Sequence, residues 1–481
     1  MPASRLPSRR EFLSLVRTGA DAPDELIYLS ATRLAQLLRD KKVSSEEVVK
    51  AHLARIGAVN PKLNAVVTLC AERALREARS ADEALARGKV TGPLHGVPMT
   101  IKDSFETQGV VSTGGTLGRK GYIPGKDATV VARLREAGAI LLGKTNTPEL
   151  TLRATTDNLI YGPTRNPYKL EHEPAGSSGG AAAIIAAGGA PFDIGSDYGG
   201  SIRLPAHACG VAGLKPTAGR VPRTGHIIDY GGAFDSFQQV GPLARRVEDL
   251  FLLLKIIAGP DYVDAAIAAV PLGDPAAVRP RELRVAFYTT NGVVDPTPEI
   301  QKAVKDCAAH LADAGCRVSE DRPPKLKESF EIREKLVGAD GRAHVRRLLS
   351  KYGTTSVSPG VRLEGEILTP AQFTELLEQL DACRSEMLAW FEGYDLFLCP
   401  PSPYAARAFS AEPLPIPVAA TYTSVFNITG WPAGVVRAGT SPEGLPIGVQ
   451  VVGRPWTEDK LLAAAQLIES RTGGWKKPPP L

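Results

Sequence analysis

The sequence predicts an α/β fold built on a mixed or parallel sheet, and three observations carry that prediction. Short apolar runs of strand length alternate with amphipathic segments of helical period along most of the chain. At 481 residues, 43% hydrophobic and 23% charged, the chain has the composition of an ordinary soluble protein and enough length for a large core. At its centre, residues 174–206 hold two Gly/Ser loops joined by an Ala-rich segment of helical character, so hydroxyls and backbone N–H groups can be aimed at one point.

Taken in order, residues 1–25 read as a polar N-terminal arm. Ser8-Arg9-Arg10-Glu11-Phe12-Leu13 resembles the start of a twin-arginine signal, but Arg17, Asp21, Asp24 and Glu25 occupy the stretch that would have to be apolar. Residues 29–59 read as two amphipathic helices. The second opens at Ser44 with Glu47 three residues on, a capping box that puts Val48, Val49, His52, Leu53 and Ile56 on one face. Residues 71–86 are a third helix, and residues 93–103 are a loop running into a strand that would deliver Lys102 inward. Helix 128–136, strand 140–143, a turn at 144–149 opening another helix, the central helix and a strand at 192–194 follow.

After Gly241-Pro242-Leu243 come a helix at 247–257 and an Ala/Pro/Asp-rich surface excursion at 259–280. Strands at 283–288 and 316–320 flank a helix at 298–314 as a βαβ unit. The Lys/Glu-rich helices of residues 323–379, punctuated by Gly360 and Pro370, read as a peripheral insertion. Strand texture returns at 396–399, 434–437 and 447–452, a helix at 458–470 closes the fold, and the tail from Trp475 frays. One domain is expected over residues 26–475, with 476–481 as a C-terminal tail.

Composition excludes several classes of function. Lys+Arg number 57 against 52 Asp+Glu and are interspersed, which is no nucleic-acid footprint. No run approaches the roughly 18 apolar residues of a membrane span, so the expected location is the cytoplasm. The six cysteines and seven histidines are scattered without ligand spacing. They predict free thiols, no metal and no cofactor.

Three chemistries compete for Gly176-Ser177-Ser178-Gly179-Gly180. A phosphate loop would need Lys and Ser/Thr after the last glycine, where Ala181 and Ala182 stand. A nucleophile elbow centred on Ser178 would need a strand before it and a histidine near the C-terminus, but residues 166–174 read as loop and the last histidine is His344. The third reading joins the serines to Lys102. A desolvated lysine can be neutral at working pH and act as base, a second serine can relay the proton, and the amides around Gly199 and Gly200 can form an oxyanion hole.

These segments, with GKTNTPE, FNITGWPAG and GLPIGVQVVGRP, resemble the amidase signature hydrolases over nearly the whole chain. The resemblance implies a large mixed sheet covered by helices on both faces and a Ser, cis-Ser, Lys triad. It assigns Lys102 as base, Ser177 as relay behind a cis peptide, and Ser201 as nucleophile. It also assigns the N–H groups of Tyr198, Gly199, Gly200 and Ser201 as oxyanion donors, with Ser178, Asp197 and Arg203 in support. Ala175 and Tyr198 depart from the usual pattern without removing a catalytic atom.

The implied partner is a small-molecule amide, with carbamates and esters sharing the same tetrahedral intermediate. Tyr230, Phe426 and Trp431 are candidate pocket residues for an apolar or aryl group, and core packing is their competing reading. Two rival functions stand beside this one. The glutaminase subunit of the tRNA-dependent amidotransferase usually has a polar residue where Leu204 stands and an acidic one near Ala419 and Ala420. An inactive binding scaffold is opposed by the presence of all three triad residues. Both a monomer and a homodimer are compatible with the sequence.

Overall fold

The computed structural model describes residues 26–228, 237–412, 418 and 420–481. The arm expected at 1–25 and the candidate Tyr230 lie outside them. Eleven strands form two sheets among the described residues. The small sheet holds β1 (Val66–Leu69), β2 (Pro98–Lys102) and β3 (Ile140–Thr145) in the order β1-β3-β2, with β2 parallel and β1 antiparallel to β3.

The large sheet comprises β4 (Phe192–Asp197), β5 (Ala212–Lys215), β6 (Gln239–Ala244), β7 (Arg284–Phe287), β8 (Arg317–Glu320), β9 (Leu396–Cys399), β10 (Ala433–Thr440) and β11 (Pro446–Gly453). Its order is β4-β6-β5-β10-β11-β9-β7-β8. Only β7 runs parallel to its neighbours, β8 and β9, and β7 and β8 form the expected βαβ unit around the helix Pro298–Asp313; the other pairs are antiparallel.

Alternation along the strands places a core on each face. Val240 and Val436 join one apolar cluster with the helices Val247–Ile257 and Glu458–Thr472, whereas Leu243 and Val435 join another with the helix Gly179–Ala186. That last helix, GGAAAIIA, is buried on every side, and its small residues are a packing requirement: a Cβ on Gly180 would lie 2.5 Å from the Asn146 backbone nitrogen. The capping box forms as predicted, with Ser44 Oγ accepting from Glu47 N–H and Glu47 Oε2 from Ser44 N–H.

Three expectations are corrected, and one element went unassigned. Residues 239–244 form a strand despite Gly241-Pro242. Pro242 faces Ile194, while the pairing with β5 is confined to Leu243 and Ala244, and a side chain on Gly241 would collide with Leu214 O. Residues 144 and 145 extend β3 rather than opening a turn, and Glu149–Thr151 is a single 3-10 turn, not a helix start. The tail is docked: Trp475 Nε1–H donates to Ala186 O (3.2 Å), its ring stacks near Tyr28, and Lys476 O accepts from the Tyr168 hydroxyl. The helices Leu326–Gly338 and Ala343–Lys351 of the expected peripheral insertion instead help to wall the pocket described below.

Candidate active site

The site lies where the two sheets meet. Lys102 ends β2, and its N–H donates to Asp193 Oδ1 on β4 (2.9 Å), while Thr145 at the end of β3 donates to Asp193 Oδ2 (3.0 Å). The Lys102 side chain is completely buried. Its Nζ lies 2.7 Å from Ser177 Oγ, 3.0 Å from Ser178 Oγ and 3.0 Å from Ser196 Oγ. Burial drives its pKa down to about 7, against the weaker pull of Asp197 and Asp193. All three partners are hydroxyls, which can accept from an ammonium or donate to an amine. The nitrogen therefore keeps its hydrogen bonds in either protonation state.

Ser177 follows a cis peptide bond from Gly176, and Ser178 caps the helix Gly179–Ala186. The Ser178 N–H donates to Ser201 O (3.1 Å), tying the two Gly/Ser loops together, and Gly176 and Ser201 line the same cavity. Thus the structure brings together Lys102, Ser177, Ser178 and Ser201 from the sequence.

Beneath Ser201 lies a clamp. Asp197 and Arg203, both fully buried, pair at 2.8 Å, and Asp197 also accepts from the amides of Gly200 (2.7 Å) and Ile202 (3.1 Å). Although burial alone would raise the Asp197 pKa, the Arg203 charge with hydrogen bonds from Arg203 and Asn427 holds it well below the usual carboxylate range. Arg203 goes on to Thr423 O, Gln450 Oε1 and Asn427 Oδ1. Gly200 has φ +125°, and a Cβ there would collide with Thr423 Oγ1, so only glycine makes this turn. Its N–H is engaged by Asp197, which makes Gly200 part of the brace rather than the oxyanion donor expected of it.

Phe426 and Trp431 are corrected likewise. They are 1% and 3% exposed in an aromatic cluster with Phe391 and Phe397, away from the cavity, because the core needed their bulk. The cavity at Ser201, about 100 Å³, is lined instead by Tyr198, Gly199, Leu204 and residues of the helical insertion. A second cavity of about 430 Å³ shares Arg153, Ala154, Leu204 and Gly360 with it and adds the apolar Ala405, Ala406 and Phe409.

The sequence reading missed the third contact of Lys102. His226 Nδ1 accepts from the Ile228 N–H (3.3 Å) and lies 3.0 Å from Gln238 Nε2, so the ring proton sits on Nε2, 2.9 Å from Ser196 Oγ. Burial and the Lys102 charge keep His226 well below its ordinary pKa, hence neutral. The available signal was Asp193, Ser196 and Asp197 within one apolar strand: three polar residues on a wholly buried strand need partners.

Fold and site belong to hydrolases acting on carbon–nitrogen bonds. The chain is a member of the amidase family, whose profile matches residues 47–462. It is 37% identical over 488 residues to the A-subunit of the glutamyl-tRNA(Gln) amidotransferase of Moorella thermoacetica, covering 95% of this chain and 99% of that one. It is 35% identical to the Carboxydothermus hydrogenoformans counterpart, covering 95% and 100%. Among solved structures, a 6-aminohexanoate cyclic dimer hydrolase with bound substrate superposes with TM-score 0.84 at 30% identity, covering 94% of this chain and 99% of that one. The peptide amidase of Stenotrophomonas maltophilia superposes with TM-score 0.80 at 28% identity, covering 94% and 98%. No helix among the described residues is long and apolar enough to cross a membrane.

Proposed function

We propose that this chain is a self-sufficient amidase that hydrolyses small-molecule amides through an acyl-enzyme on Ser201. The observation that carries the reading is Lys102: a dry amine with pKa near 7, hydrogen-bonded to Ser177 at 2.7 Å beside the loop that bears Ser201. Neutral Lys102 takes the Ser177 proton while Ser177 takes that of Ser201, whose Oγ adds to the carbonyl carbon. The chain then reverses: Ser177 passes a proton to the leaving nitrogen, the C–N bond breaks, and Lys102 returns the proton to Ser177. Water repeats the cycle against the acyl ester and releases the acid. With the Gly200 amide engaged, the oxyanion falls to the loop amides of Gly199 and Ser201, with Tyr198 beside them. One such donor is worth roughly 3–4 kcal/mol in the transition state.

A second reading, the glutaminase subunit of a tRNA-dependent amidotransferase, is favoured by the full-length likeness to those subunits. Against it stand Leu204 and Ala420 in the lining of the cavity, positions where that subunit usually carries polar and acidic groups for glutamine. Turnover of the purified chain on a panel of anilides, aliphatic amides and carbamates, with fluorophosphonate labelling mapped to Ser201, supports the amidase. Ammonia release from glutamine alone, dependent on partner subunits, overturns it.

A further inference from the structure

The wall of the Ser201 cavity is cationic to a degree that amide hydrolysis does not need. Among the described residues four arginines line it, Arg153, Arg333, Arg342 and Arg362, against a single carboxylate, Glu334, which is already hydrogen-bonded to Arg333 Nη1. Among the described residues, Arg153, Arg342 and Arg362 stand in no ion pair. The Nε atoms of Arg333 and Arg342 are buried without a hydrogen-bond partner. Arg333 is 7% exposed and lies with its guanidinium carbon 5.3 Å from the Tyr198 ring centroid. Its Nη2 is so close to the nucleophile loop that a Cβ on Gly199 would sit 3.0 Å away.

Arg342 is half-buried and Arg362 exposed, so the charges run from beside the nucleophile loop to the mouth. Burial is the main cause lowering the Arg342 pKa; the positive charges of Arg362 and Arg333 add to it, and Tyr198 and Glu334 oppose it. Guanidinium groups stay protonated at any working pH, so this repulsion and the unmade hydrogen bonds persist until an anion arrives.

Resting on the amidase reading above, we infer that the substrate carries a carboxylate a few atoms from its scissile carbonyl, received by the guanidinium groups of Arg333 and Arg342 and drawn in past Arg362 and Arg153. A planar carboxylate matches the fork geometry of arginine and fills donors that are otherwise vacant. The adjoining cavity, where Ala405, Ala406 and Phe409 stand beside Glu173 and Arg407, takes the remainder of the molecule. The substrate is then an amphipathic amide acid rather than the wholly apolar or aryl amide that the sequence suggested.

The test uses the full chain and fluorophosphonates in matched pairs, one ending in a carboxylate and one in the isosteric carboxamide. One pair carries that end on the phosphorus-bound alkyl arm and one on the alkoxy arm. These reagents label the nucleophile whatever the natural substrate is. In at least one pair the carboxylate reagent labels Ser201 at least about tenfold faster, as one charge-assisted hydrogen bond implies. That ratio falls several-fold in R342Q and in 1 M salt. R362Q, on the exposed rim and safe for folding, lowers it about twofold.

Ratios at or below one in both pairs, with Ser201 still labelled, overturn the anionic substrate and leave the amidase reading standing. A ratio unchanged in both R342Q and R362Q also overturns the assignment to this wall. Failure of every reagent to label Ser201 overturns both.

Discussion

The floor beneath one cavity and that cavity's wall treat positive charge in opposite ways. On the floor Lys102 is fully buried, has only hydroxyl neighbours at hydrogen-bond distance, and has its pKa brought down to about 7. On the wall Arg342 is pressed mainly by burial, with Arg362 and Arg333 adding like charge, yet a guanidinium cannot give up its proton to escape. A fourth cation, Arg203, lies below the floor, fully buried and paired with Asp197 at 2.8 Å. The partner decides the role in each case: hydroxyls leave Lys102 able to act as a base, a carboxylate makes Arg203 a brace, and on the wall one carboxylate, Glu334, among the described residues is too few for four arginines, which leaves donors for a ligand.

The sharpest way to break this contrast is to remove the floor. K102A and S201A each reduce turnover by a factor of roughly 10³ or more, as removal of one member of a concerted unit does, and combining them costs little beyond either alone. Additive losses in the double mutant, measured as kcat/KM, would contradict a shared proton path.

Removing the brace comes next. D197A strands Arg203 in a dry interior and lowers unfolding stability by roughly 3–5 kcal/mol, read by denaturant titration. D197A unfolding at the wild-type midpoint would show that Arg203 finds another partner. G200A, forced to φ +125° against Thr423, loses activity with a smaller stability change, because the strain falls on the nucleophile loop. A G200A enzyme with wild-type kcat would sink the assignment of that turn.

The His226 arm has the smallest effect. H226L removes the donor to Ser196 and leaves that hydroxyl free to turn away from Lys102, with an expected fall in kcat of about tenfold or less, in keeping with one net hydrogen bond. H226Q, which can still donate, recovers part of it, and equal losses in both variants would point to packing against Phe105 instead.

What the sequence made legible follows chain distance. Ser177, Ser178, Ser201, Asp197 and Arg203 sit in two short runs whose glycines and hydroxyls have few other uses, and Lys102 ends an apolar run that had to carry it inward. His226 and Ser196 come together only through the fold, and their spacing of 30 residues carries no pattern. The wall was hidden for a different reason. Arginines on amphipathic helices such as Leu326–Gly338 read as solvent-facing, and only the packing of that segment over Ser201 turns them inward. Phe426 and Trp431 were ambiguous because an aromatic side chain fits a core and a pocket equally well, and β6 was missed because Gly-Pro is a turn signal wherever the ladder does not override it.

The central claim, that a neutral Lys102 is the base, is tested most directly by the rate of fluorophosphonate labelling of Ser201 as a function of pH. Because Lys102 must lose its proton to act, labelling is slow below its pKa. It rises about tenfold per unit as pH approaches a value near 7, then levels off, and this titration is absent from K102A, whose residual rate is low at every pH. A labelling rate flat from about two units below that value to about two above, or the same titration surviving in K102A, would contradict it.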